Sequence, residues 1–128
     1  MELSKVCRRL VLASALGIFG AALIQPSQSS AGTLEWDVKS NHPNRVQIAF
    51  YSRSYKREWP GHGKVWGLND YGTHTYRLEC TTGEKVCFGA WLTGSGKTYW
   101  GVGFKGKNGC EHCCYTCDEN PRRQVLNP

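Results

Sequence analysis

Six of the seven cysteines fall between Cys80 and Cys117, and this crowding limits what the chain can fold into. Four of them occupy one run, Cys110-Glu111-His112-Cys113-Cys114-Tyr115-Thr116-Cys117. A small domain has little apolar area to bury, so cross-links contribute a large share of its stability. An even set of cysteines in such a chain reads as a disulfide framework, provided the compartment is oxidising.

The compartment is argued from residues 1–31. Lys5, Arg8 and Arg9 precede an apolar stretch, Leu10 to Ile24, and Ser29 and Ala31 place small residues at −3 and −1 of a cleavage point before Gly32. This is the basic, apolar, small order of a secretory signal peptide. The stretch has fifteen residues, short of the roughly twenty that span a bilayer. A cleaved leader, a secreted or periplasmic location and no membrane-spanning segment after cleavage are therefore expected. The Arg8-Arg9 pair also fits a twin-arginine signal, although adjacent basic residues are ordinary in any leader. Cleavage would leave 97 residues with thirteen basic and nine acidic side chains, a net charge of +4. That mild excess favours anionic partners.

Beyond the leader the apolar pattern has period two. Leu34, Trp36 and Val38 share one face. Val46, Ile48 and Phe50 share another, after the turn residues Asn41-His42-Pro43-Asn44. Tyr76, Leu78 and Cys80 alternate with Thr75, Arg77 and Glu79. Each reads as a strand with one buried face. Ser52 to Gly63 reads as a long connection, and a short strand is expected near Val65 to Leu68. No segment has helical periodicity. The predicted fold is all-β: a small antiparallel β-sandwich or partly open barrel of about six short strands, disulfide-stabilised. It would occupy residues 32–117, with residues 118–128 as a frayed tail.

Gly83-Glu84 suits a two-residue type II′ hairpin turn, which would set Cys80 opposite Cys87 at a separation a disulfide accepts. A Cys80–Cys87 bridge is the covalent link this reading favours, contributing about 2–3 kcal/mol. The remaining four would pair either as Cys110–Cys114 with Cys113–Cys117, or as Cys110–Cys113 with Cys114–Cys117. The next two strands flank Thr93-Gly94-Ser95-Gly96-Lys97. An odd loop length groups Val86, Phe88, Ala90 and Leu92 with Trp100, Val102 and Phe104 on one apolar face, the reading favoured, whereas an even one would group them with Tyr99, Gly101 and Gly103. Gly89, Gly101 and Gly103 would then leave bare backbone on the other face for a ring such as Trp91.

Four sites merit a chemical reading. Cys110, Cys113, Cys114 and Cys117, with His112, have the donor types of a zinc site, which is the alternative to disulfides. Structural zinc sites usually separate their two Cys-x-x-Cys pairs by a dozen or more residues; here they abut, so disulfides are favoured and no cofactor is expected. Gly94-Ser95-Gly96-Lys97-Thr98 matches the end of a phosphate-binding loop, but Trp91 stands where its first glycine belongs and a strand follows. Tyr51, Arg53, Tyr55, Lys56, Arg57 and Trp59 form an aromatic and basic loop of the kind that stacks on sugar rings and holds anions. For catalysis the candidates are Glu58, His62, Asp70, His74 and Glu79, which no motif connects.

The reading favoured is an exported, cysteine-stapled binding module for glycan or an anionic cell-surface polymer, using the Tyr51–Trp59 loop; nucleic acid is not expected. The alternatives are a small metal-dependent or hydrolytic exported enzyme and a structural or inhibitory partner protein.

Overall fold

The computed structural model describes residues 30–128. Apart from Ser30 and Ala31, the expected leader lies outside the described residues, and so does Cys7. Among the described residues nine strands form in order: Ala31–Ser40 (β1), Val46–Ser52 (β2), Glu58–Trp59 (β3), Trp66–Leu68 (β4), Thr73–Thr81 (β5), Lys85–Leu92 (β6), Ser95–Gly101 (β7), Cys114–Thr116 (β8) and Gln124–Leu126 (β9). Four of them have only two or three residues. Of these, β4 falls at the short strand expected near Val65 to Leu68, whereas β3, β8 and β9 carry no readable alternation, which is why about six were expected. The first strand starts at Ala31, one residue ahead of the expected cleavage point. No helix among the described residues is long and apolar enough to cross a membrane.

The strands make two sheets. The smaller has the order β5-β1-β9; the larger has β3-β2-β6-β7, with β4 also on β2 and β8 on β6. The predicted alternations supply the interface between them. Leu34, Trp36, Val38, Tyr76 and Leu78 from the smaller sheet meet Val46, Ile48, Phe50, Val86, Phe88 and Ala90 from the larger, all buried. Trp36 lies at the centre, 5.2 Å from the ring of Phe50 and 5.3 Å edge-on from Tyr115. Burial of this kind contributes roughly 1.5–3 kcal/mol for each large side chain. The fold is thus the sandwich of the two predicted architectures.

The turn after Cys80 corrects the hairpin reading. Thr82 and Gly83 do form a tight turn, in which the Glu84 amide donates to Thr81 O at 2.8 Å. However, β5 pairs with β1 and β6 pairs with β2, so the chain passes from one sheet to the other there. Cys80 and Cys87 lie in different layers and cannot bond to each other. Cys80 bonds to Cys117, Cys87 to Cys114, and Cys110 to Cys113. All six are joined, but of the expected pairings only Cys110–Cys113 forms. A directly opposed cross-strand bridge does exist, between Cys87 of β6 and Cys114 of β8. The Cys80–Cys117 bond runs from β5 of the smaller sheet to the stretch just after β8 of the larger, with Cα atoms 5.9 Å apart, and ties the layers together.

Ala90 faces Trp100 and Gly89 faces Gly101, the parity expected of an odd loop, although the turn is the two residues Thr93-Gly94 and a shift at Trp91/Leu92 restores that parity; Phe104 leaves the expected face and meets Trp91 instead. No helix follows Lys97, so the phosphate-loop fragment is a hairpin end. Two expectations fail. The tail is not frayed through its length: β9 pairs parallel with β1, and Leu126 is buried. Val125 and Leu126 are adjacent apolar residues in a polar run, too short to show as a pattern. Nor does β6 keep a polar face, since every residue from Val86 to Trp91 is buried.

Candidate binding site

The second face of β6 is covered by the segment that follows β7. Val102 N donates to Phe88 O at 2.9 Å, turning the chain beneath the sheet, and Asn108 N returns to Val102 O at 3.0 Å. The cover can lie this close because Gly89 has no side chain; a Cβ there would strike the Gly103 carbonyl and the Tyr51 ring. Tyr51, not Trp91, is the ring laid on bare backbone. It also lies over Gly106, where an added Cβ would come within 3.0 Å of the Tyr51 ring and the φ of 64° strains any side chain. Trp91 meets Phe104 edge-on at 5.1 Å.

The chain reaches the site through the β2–β3 turn. Tyr51 pairs with Glu58 and Phe50 with Trp59, so residues 52–57 form a loop at one end of the larger sheet. Ser52 Oγ accepts from the amides of Ser54 (3.2 Å) and Tyr55 (2.9 Å), a local serine turn that fixes the loop's start. Arg53 N donates to Lys85 O at 2.7 Å and Lys85 N to Ser54 Oγ at 3.0 Å, tying the loop to the start of β6.

The six residues predicted to bind come together, with unequal roles. Tyr51 is buried, and its hydroxyl accepts from Lys105 N at 3.0 Å; burial raises its pKa, that hydrogen bond partly opposes the rise, and the Glu58 charge adds to it. Arg53 donates through Nη1 to Gly106 O at 3.0 Å and through Nη2 to Asn108 O at 3.1 Å, so its guanidinium holds the covering segment. Trp59 is half-buried against the core. Tyr55, by contrast, is 52% exposed, and Lys56 and Arg57 are exposed beside it.

Arg57 is the organising cation. Its Nε donates to Glu84 Oε2 at 2.9 Å and its Nη2 to Glu84 Oε1, making a two-pronged pair. Its guanidinium carbon lies 4.9 Å from the Trp59 ring centre and 6.0 Å from that of Tyr55. The Glu84 side chain is fully buried while that of Arg57 remains 41% exposed. Burial alone would raise the Glu84 pKa, but hydrogen bonds from Arg57, Ser52 and the Thr81 amide outweigh it and hold the carboxyl below its ordinary value. The same hydrogen bond, chiefly, raises the pKa of Arg57. Sequence reasoning missed Glu84, because a Glu after Gly in a tight turn looks like a solvated turn residue.

These elements border an open concavity of about 590 Å³, lined by residues 51–58 together with Lys105. Lys105 was not anticipated; only its tertiary bond to Tyr51 brings it here. A second hollow of about 320 Å³ shares Tyr51, Glu58 and Lys105 and continues over Trp91 and Phe104.

The other candidates do not assemble. Asp70 and His74 meet at 2.8 Å; the His74 hydrogen bond lowers the Asp70 pKa, aided by the Gly72 amide. Glu58, His62 and Glu79 show no side-chain hydrogen bond to them or to one another among the described residues. The sulfurs of Cys87, Cys113 and Cys114 lie within 4.8 Å of one another. Zinc needs thiolates, and Cys110, Cys113, Cys114 and Cys117 are divided among three disulfides, with His112 exposed beside them. The residues present therefore do not fit the zinc alternative.

Fold and site together define a small disulfide-linked β-sandwich with an aromatic and basic rim at one end. No family model, curated protein or solved structure matches the chain.

Proposed function

We propose that this domain is an exported binding module for an anionic, sugar-containing polymer, engaged at the Ser52–Trp59 loop. The observation that carries the reading is the open concavity whose rim combines an exposed Tyr55 ring with Lys56, Arg57 and Lys105. A ring and a guanidinium plane stack on the apolar faces of sugars, while ammonium groups hold carboxylate, sulfate or phosphate substituents. Arg57 is already fixed by Glu84 and stacked on Trp59, so little side-chain freedom is lost when a ligand lands on its exposed side. An open trough suits a length of polymer running across it better than a small molecule, which is ordinarily enclosed. Three disulfides support an oxidising compartment, as does the leader-like order of residues 1–31.

The test is binding of the oxidised protein to polygalacturonate, with a neutral glucan as comparison, over a range of salt. Binding should favour the acidic polymer and weaken as salt rises. Tyr55→Ala and Lys56→Glu should each lower affinity roughly 10-fold, equivalent to about 1.4 kcal/mol, with thermal stability unchanged. Folded protein that binds neither polymer, or that binds equally well with both substitutions, would reject the reading.

A further inference from the structure

The smaller sheet ends on β5, and this edge differs from the others. Edge strands expose unpaired amides and carbonyls, and proteins ordinarily blunt them by shortness, bulges, proline or charged side chains, lysine above all; the charges on β5, Arg77 and Glu79, are of opposite sign and two residues apart. Among the described residues β9 has three residues and β3 two, and β7 contains Gly96 and Lys97 and faces a register shift in β6. By contrast β5 runs nine residues, Thr73-His74-Thr75-Tyr76-Arg77-Leu78-Glu79-Cys80-Thr81, without proline or glycine, and its register with β1 is unbroken throughout. Its second edge pairs with nothing among the described residues.

We propose that β5 pairs antiparallel with β5 of a second copy of this chain, across a two-fold axis at Leu78. The two three-stranded sheets then become one sheet of six. The register follows from symmetry and charge. A two-fold axis normal to the sheet opposes residues of equal parity, so the pairing must be centred on a residue. Centred on Arg77 or on Glu79, it sets like charges against each other. Centred on Tyr76, it opposes both charged residues with threonines. Centred on Leu78, it opposes Arg77 to the second copy's Glu79 twice over and Thr75 to the second copy's Thr81, both favourable cross-strand pairs. Arg77 and Glu79 are exposed, and neither belongs to an ion pair among the described residues. On the core side Leu78 then meets its own copy, continuing the apolar face.

The experiment is sedimentation equilibrium of the oxidised protein and of charge-reversed variants. The parent protein should be a dimer. Arg77→Glu and Glu79→Arg should each weaken association roughly 10-fold or more, since each sets two like-charged pairs face to face. The double swap R77E/E79R should restore the dimer, and an equimolar mixture of the two single variants should form the heterodimer. Both positions are exposed, and the rescues show that the single variants remain folded. A monomeric parent protein would overturn the proposal. So would a dimer indifferent to charge reversal, which would place the contact elsewhere, or an edge that pairs only with a foreign extended peptide.

Discussion

The two faces of the larger sheet are buried by different means. The inner face is covered by another sheet, through interlocking apolar side chains: Phe50, Phe88 and Val86 against Trp36, Leu34 and Leu78. The outer face is covered by an irregular segment, residues 102–108, that approaches to backbone distance where glycine allows it and is held by polar anchors, Tyr51 and Arg53. Close-packed apolar contact resists any local opening, because each side chain touches many others. A cover held by a few hydrogen bonds can lift by itself. The rim residue Lys105 belongs to that cover, so the candidate site sits on the less tightly bound side of the sheet.

The largest difference between the faces should follow from removing one inner ring. Phe50→Ala is expected to cost about 4 kcal/mol, read as a global shift in the denaturant midpoint, because the cavity lies between two sheets that cannot close over it. An intermediate effect belongs to the crossover. Arg57→Ala leaves Glu84 buried and unpaired; allowing for the partial exposure of Arg57, the loss should be about 2–3 kcal/mol. Glu84 is held below its ordinary pKa, so its contribution is fully present above the unfolded carboxyl value and is lost as pH falls through the lower folded value. Stability measured against pH should therefore decline through that acid window in the parent protein and more shallowly in Glu84→Gln.

Arg53→Ala should cost about 2 kcal/mol, but locally. Amide exchange should quicken at Gly106 and Asn108 while β2 and β6 keep their protection. A uniform loss of protection over the whole sheet would show that the two faces open together and would dissolve the distinction. Smallest is Tyr51→Phe, which removes one acceptor from Lys105 N for about 1 kcal/mol and should loosen the same segment.

The same contrast explains what could be read from residues alone. The inner face was legible because alternation at Leu34, Trp36 and Val38, or Tyr76, Leu78 and Cys80, is a local property of each strand. The β6–β7 register was legible for the same reason. What pairs with β5 was not: a Gly-Glu turn looks identical whether the chain doubles back within a sheet or crosses to another, and that ambiguity misplaced Cys80 opposite Cys87. The outer face gave no periodic signal, since its cover lies against Gly89, turns through Gly106 and is held by single polar anchors. Of the site, the aromatic and basic loop was visible as composition. The buried Glu84 and the rim Lys105 depend on contacts 27 and 54 residues away, and nothing local marks them.

The parallel pairing of β9 with β1 bears on how quickly the domain can form. Val38 meets Gln124, a partner 86 positions further along, so the first strand among the described residues is completed by the last. Closing so long a loop costs entropy before any contact offsets it, and topologies of this kind reach the native state slowly. Until residues 124–126 dock, the second edge of β1 stays open along Val38–Ser40, a stretch free to pair with other strands while the domain folds.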